Sequence, residues 1–136
     1  MDILIHRLTF VPKQESTDME IFKDFSFDAA HFLPNVPPDH KCARMHGHTY
    51  RVRIALQGPI HPVLGWVRDF AEIKQAWKTI EDQLDHRVLN DLPGLENPTA
   101  EWIAIWIWDK LKPQLQELCR IEVFETPGTG VVYQGA

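Results

Sequence analysis

The chain has 136 residues, 44% of them apolar and 24% charged, which suits one globular domain and excludes wholesale disorder. Lys and Arg total 14 against 19 Asp and Glu, a net charge of -5 that argues against a nucleic-acid or anionic-membrane surface. No apolar run approaches the roughly 18–20 residues of a membrane span, and two cysteines cannot make a disulfide scaffold.

Residues 1–18 read as an N-terminal extension: a weak strand over Ile3–Val11, then a polar connector over Pro12–Asp18. It has neither the apolar block nor the small-residue cleavage site of a secretory signal, so a cytoplasmic location is expected. Residues 19–136 read as the domain proper. From Phe25 the pattern alternates, with Phe25, Phe27, Ala29 and His31 on one strand face and Ser26 and Asp28 on the other. Residues 33–44 hold three prolines and an asparagine, which is loop chemistry. A second strand places His46, His48, Tyr50, Val52, Ile54 and Leu56 on one face. Gly58, Pro59, Pro62 and Gly65 then mark a turn-rich connection.

Asp69-Phe-Ala-Glu72 matches a capping box, and Ile73, Ala76, Trp77, Ile80 and Leu84 follow at helical spacing. Asp85–Leu95 reads as loop. Asn97-Pro98 predicts an N-cap with proline in the first helical position, opening a helix to about Lys112. That helix is apolar almost all round, which predicts burial on more than one side. Cys119 is expected to end the helical stretch and to serve packing alone. Ile121, Val123 and Glu125 then share a strand face, and a short Val131–Tyr133 strand closes the chain. The order β-β-α-α-β-β predicts an α+β fold, an antiparallel sheet with two helices on one face.

Seven histidines are present. His46 and His48 project to one side of their strand, about 7 Å apart at ~3.3 Å per residue, so both can reach one ion. His31, on the apolar face of the neighbouring strand, is placed as a third ligand. Three neutral nitrogens with one open position are the pattern of a catalytic zinc. A bare His-x-His is common, and an isolated His31 would be an ordinary hydrogen-bonded core histidine. Gly47 between the pair and Cys42 four residues upstream favour the metal reading. A closed site of one cysteine and three histidines is the competitor. Cupin-type strands place a Glu after the pair, where this chain has Tyr50-Arg51-Val52-Arg53, and amidohydrolase barrels need roughly 250 residues.

Cys42 lies between Lys41 and Arg44, and nearby cations favour a reactive thiolate; the alternative, usual for a single loop cysteine, is an unreactive surface thiol. Asp85-His86 is either a solvated loop pair or a carboxylate orienting a proton-shuttling imidazole. Glu125 faces the core side of its strand, where a carboxylate needs a partner. It either escapes to water at the strand end or waits for a ligand with two N–H donors, such as a planar 2-amino-4-oxo heterocycle.

Together, Phe25-Ser-Phe-Asp-Ala-Ala-His31, Cys42-Ala-Arg-Met-His-Gly-His48, Asp69-Phe, Leu84-Asp-His86, Leu89-Asn-Asp, Asn97-Pro-Thr-Ala-Glu101 and Glu125-Thr126 resemble the 6-pyruvoyltetrahydropterin synthase family. The three-residue spacer between Cys42 and His46 is similar to the bacterial carboxy-type branch of queuosine biosynthesis. The resemblance implies zinc on His31, His46 and His48, Cys42 as catalytic base or nucleophile, and Asp85 and His86 as its relay. It also implies a pterin anchored by Glu125, with Thr126 as a second contact. The implied fold is the tunnelling fold, in which trimers close a barrel and two trimers stack as a homohexamer with active sites between subunits. The implied activity is a zinc-dependent lyase. It converts 7,8-dihydroneopterin triphosphate and water to 6-carboxy-5,6,7,8-tetrahydropterin, acetaldehyde and triphosphate.

Overall fold

In-phase alternation over two successive segments calls for a hairpin, and the computed structural model, which describes residues 18–136, contains it. Strand β1 spans Asp18–His31 and strand β2 spans His46–Pro59. They pair antiparallel from Asp18 opposite Pro59 to His31 opposite His46, without a slip. Strand β3 (Leu118–Thr126) pairs with β2 across a bulge at Ala55/Leu56, and β4 (Thr129–Tyr133) pairs with β3. The result is one four-stranded antiparallel sheet in the order β1-β2-β3-β4. Between β2 and β3 run helix α1 (Phe70–Leu84) and helix α2 (Ala100–Leu111). The weak N-terminal strand over Ile3–Val11 lies outside the described residues. Asp18, expected to end the connector, opens β1.

Both helices cover one sheet face. Phe27, Tyr50, Val52, Ile54, Leu56, Ile121 and Val123 are buried against Ile73, Trp77 and Ile80 of α1 and Ile103, Ile107 and Leu111 of α2. Trp77 stacks on Phe25 with ring centroids 5.0 Å apart, and its indole N–H donates to Glu81 at 3.2 Å. Truncating a buried aromatic of this kind to alanine costs about 3–5 kcal/mol. Helix α2 is less enclosed than its composition suggests, because Trp102 remains 50% exposed.

Three local expectations are corrected. Asp69 caps α1 by accepting from the Ala71 N–H, but Glu72 does not reach back to complete the box. Its carboxylate accepts from Arg68 Nε at 2.8 Å, a charge-assisted bond stronger than one to a neutral amide. Helix α2 starts two residues late: Thr99 is the N-cap, its hydroxyl accepting from Trp102 N–H at 3.2 Å. Threonine is a good cap in its own right, and this start leaves the Pro98 carbonyl outside the helix ladder. Cys119 lies within β3 rather than at a helix end, and its thiol donates to the Ala55 carbonyl at 3.4 Å.

At the edge of the sheet, residues 86–88 lie along the end of β1. Ala30 N–H donates to Arg87 O at 3.0 Å, and Ala30 forms a parallel bridge with Val88. This contact sets the position of the Asp85-His86 pair. No described helix is long and apolar enough to cross a membrane.

Candidate active site

The register that places His31 opposite His46 also puts His48 two residues along on the same pleat face. Three imidazoles therefore converge from two strands. Their ring centroids lie 4.6 Å (His31–His46), 5.1 Å (His31–His48) and 5.0 Å (His46–His48) apart. One ring nitrogen from each lies within 4.8 Å of the other two.

Main-chain carbonyls fix two of the tautomers. His31 Nδ1 is 2.8 Å from Pro98 O, and His46 Nδ1 is 2.7 Å from Arg44 O. A carbonyl only accepts, so each Nδ1 carries a proton, and Nε2 is the ring nitrogen of each that remains for a ligand. His31 is 1% exposed, and its Nε2 is buried without a hydrogen-bond partner. Burial is the main cause that lowers the His31 pKa from 6.5 to about 4, against the Pro98 bond and with help from His46 and His48. His48 is lowered as well, chiefly by burial, while Glu125 acts in the opposite sense. Glu125 Oε2 lies 3.8 Å from His31 Nε2. With His31 neutral at pH 7, that contact is not an ion pair. The ring nitrogen and the carboxyl oxygen thus face one space without a hydrogen bond between them. An orphaned buried nitrogen beside two further imidazoles, with His31 and His46 each held by an outer carbonyl, fits a divalent zinc-like ion.

Cys42 occupies a short 3-10 turn, Lys41–Ala43, and is half-buried. With His31, Leu33, Lys41, His46, His48 and Glu125 it lines a cavity of about 440 Å³. That volume is within the usual range for small-molecule sites, roughly 300–1,000 Å³. Cys42 is not in the cluster of mutually close ligand atoms, so the closed arrangement of one cysteine and three histidines is not formed. Thr126 does not line this cavity. Its hydroxyl is hydrogen-bonded to that of Thr129 at 2.8 Å in the β3–β4 turn.

Asp85 and His86 are joined to each other but lie away from Cys42. Asp85 caps the C-terminus of α1, and its Oδ2 is 2.9 Å from His86 Nδ1. Its Oδ1 accepts from Asp28 N–H at 2.9 Å, and His86 N–H donates to Asp28 O. His86 has φ +59°, in the left-handed region, and its side chain is 78% exposed. Asp85 is held below the ordinary carboxylate range by the Asp28 N–H and then by His86. The Asp85 carboxylate raises His86 above the ordinary imidazole value. His86 borders a second cavity, of about 550 Å³, that includes Asp28, Thr49 and His48 but not Cys42. Within one chain, then, the thiol and the dyad are not brought together.

Sequence reasoning gave no site role to Pro98, whose carbonyl orients His31, to His40, which accepts from the Cys42 N–H, or to Asn90, which grips the main chain of Phe32. The Pro98 role was hidden by the misplaced helix start. A histidine two residues before Cys42 was the available signal for His40.

Known proteins resemble this chain in sequence and fold. The family described as 6-pyruvoyl tetrahydropterin synthase matches residues 20–136. A Synechocystis protein named 6-carboxy-5,6,7,8-tetrahydropterin synthase is 41% identical over 112 residues, covering 78% of this chain and 85% of the relative. A Pyrococcus furiosus dihydroneopterin monophosphate aldolase is 34% identical over 109 residues, covering 78% and 89%. The solved structure of Caenorhabditis elegans 6-pyruvoyl tetrahydropterin synthase superposes with a TM-score of 0.81 at 29% identity, over 88% of this chain and 96% of that one. With its four-stranded antiparallel sheet, two helices and convergent histidines, the chain belongs to the 6-pyruvoyl tetrahydropterin synthase family.

Proposed function

We propose that the chain is a zinc-dependent, carboxy-type member of this family, acting in queuosine biosynthesis in the cytoplasm. It converts 7,8-dihydroneopterin triphosphate and water to 6-carboxy-5,6,7,8-tetrahydropterin, acetaldehyde and triphosphate. The observation that carries this reading is the buried, partnerless Nε2 of His31 beside two further imidazoles, in a cavity that also holds a thiol and a carboxylate. The carboxy-type assignment is supported by the Synechocystis relative and by the three-residue spacer between Cys42 and His46.

His31, His46 and His48 would hold the zinc, which when bound supplies Lewis-acid stabilisation of charge developing on the substrate's side-chain hydroxyls. The remaining roles fall to the chain itself. Glu125 accepts from two N–H donors of the pterin ring and fixes its orientation. Cys42, as thiolate, takes the carbon-bound proton of the side chain. The ring accepts the electron density as triphosphate departs. Water adds at the side-chain carbon next to the ring, now a carbonyl, and cleavage of its bond to the second side-chain carbon leaves the 6-carboxylate and releases acetaldehyde. The Asp85-His86 dyad of a second copy relays the proton, which requires assembly. The outermost strands β1 and β4 suit barrel closure between copies, as a homohexamer of two stacked trimers.

The test is incubation with dihydroneopterin triphosphate, with and without a chelator, followed by mass spectrometry. Acetaldehyde and the 6-carboxy product, abolished by chelation and restored by zinc, are expected. A 6-pyruvoyl product without acetaldehyde would overturn the carboxy-type assignment. No turnover by zinc-loaded protein would leave a non-catalytic zinc- or pterin-binding protein as the better description.

A further inference from the structure

Cys42 sits on a loop whose main chain is gripped on both sides. Its N–H donates to His40 Nδ1 at 3.0 Å, and its carbonyl accepts from Leu33 N–H at 2.8 Å. Leu33 follows Phe32, whose N–H and C=O are both engaged by the Asn90 side-chain amide, at 3.0 and 2.8 Å. With its backbone so fixed, the thiol retains only rotation about its own Cα–Cβ bond.

His40 is the N-cap of the Lys41–Ala43 turn. Caps are ordinarily Ser, Thr, Asp or Asn. An imidazole accepts here only through an unprotonated Nδ1, so this cap is neutral. Aspartate would accept equally well but would place a full negative charge beside the thiol, which opposes thiolate formation.

We propose that His40 is a positioning residue for Cys42, a neutral cap that fixes the thiol toward the three-histidine cavity without adding an anion. The proposal rests on the reading of Cys42 as the proton-transfer group. It is tested on the zinc-loaded full chain with His40→Ala, His40→Asn and His40→Asp. Turnover is measured beside the iodoacetamide alkylation rate of Cys42, read by peptide mass spectrometry with Cys119 as internal reference.

His40→Ala should lower kcat roughly tenfold or more at unchanged KM and zinc content, the effect of a misplaced reacting group. Its Cys42 alkylation rate should differ severalfold from wild type. His40→Asn, which restores a neutral acceptor, should recover most of kcat and the wild-type alkylation rate. His40→Asp should keep the fold but stay impaired, with slower alkylation than His40→Asn. Wild-type kcat and alkylation in His40→Ala would overturn the proposal. So would equal impairment of His40→Ala and His40→Asn, or full activity in His40→Asp. Retained turnover in Cys42→Ala would instead remove the catalytic role of the thiol. The alkylation rates would still decide whether His40 holds it.

Discussion

His31 and His86 carry the same side chain in opposite surroundings. The first is buried among two other imidazoles, is held by the Pro98 carbonyl and is pushed toward the neutral form. The second stands exposed on a left-handed turn, is held by a carboxylate and is pushed toward the charged form. A lone pair suits metal ligation and a mobile proton suits relay; burial produces the first, against the pull of the Pro98 carbonyl, and the Asp85 anion produces the second. The two regions also differ in completeness. One chain assembles the histidine trio, whereas it holds the dyad apart from the thiol.

The most severe way to break the contrast is to remove a ligand. His46→Ala should abolish zinc binding and lower turnover by about a thousandfold or more, given several kcal/mol of Lewis-acid stabilisation. Elemental analysis of the purified variant and a product assay check both halves. Zinc retained at wild-type stoichiometry would remove the trio from the site.

Next come Cys42→Ala and His86→Ala, each expected to cost roughly 10²–10⁴ in turnover while zinc content is unchanged. Dissociating, mixing and reassembling the two inactive variants should restore part of the activity, because some mixed sites then hold one intact thiol and one intact dyad. No recovery would argue against a site shared between copies. Loss of zinc in Cys42→Ala would favour the closed set in which the thiolate joins the three imidazoles.

Acid should separate the two regions in chelator-treated protein. The His31 pKa of about 4 in the fold lies below its ordinary 6.5, so unfolded chains take up that proton first as pH falls. Its contribution to stability therefore declines between about pH 6.5 and pH 4. His86 behaves oppositely, because its folded value is raised: its contribution is full below the ordinary imidazole value and lost as pH rises through the folded one. As acid is added, the His86 ring signal followed by NMR should titrate before that of His31. A His31 ring that protonates near pH 6.5 would erase the contrast.

The smallest effect is expected at Glu125, which lies beside the trio without joining it. Glu125→Gln replaces one acceptor with a donor that faces a donor, so KM should rise roughly tenfold with zinc content unchanged. An unchanged KM would rule out the anchor role.

Much of the sheet and the trio was legible because strand periodicity is short-range and unambiguous. The even positions from His46 to Leu56 fix one face, and His31 reaches the same face through a hairpin pairing without slips. Helix α1 was legible for the same reason, from Ile73 through Leu84. Where two local signals competed, the reading failed. Asn97-Pro98 and Thr99 are both plausible starts for α2, and the difference decided whether the Pro98 carbonyl was available to His31. Glu72 had both an amide and Arg68 within reach, and only the three-dimensional arrangement shows which one it takes. The grip of His40 and Asn90 on the Cys42 loop depends on contacts that span up to 58 positions, or on a cap type outside the usual preferences.

The segment that follows Asp85 has one more effect on the edge it touches. Along the outer side of β1, Asp28 and Ala30 already spend their outward main-chain groups on residues 85–87. Among the described residues, an incoming strand can therefore lengthen the sheet only as far as Ser26 before it meets this stop. The stop works as a ruler: a strand that pairs along β1 from its other end finishes beside residues 85–87.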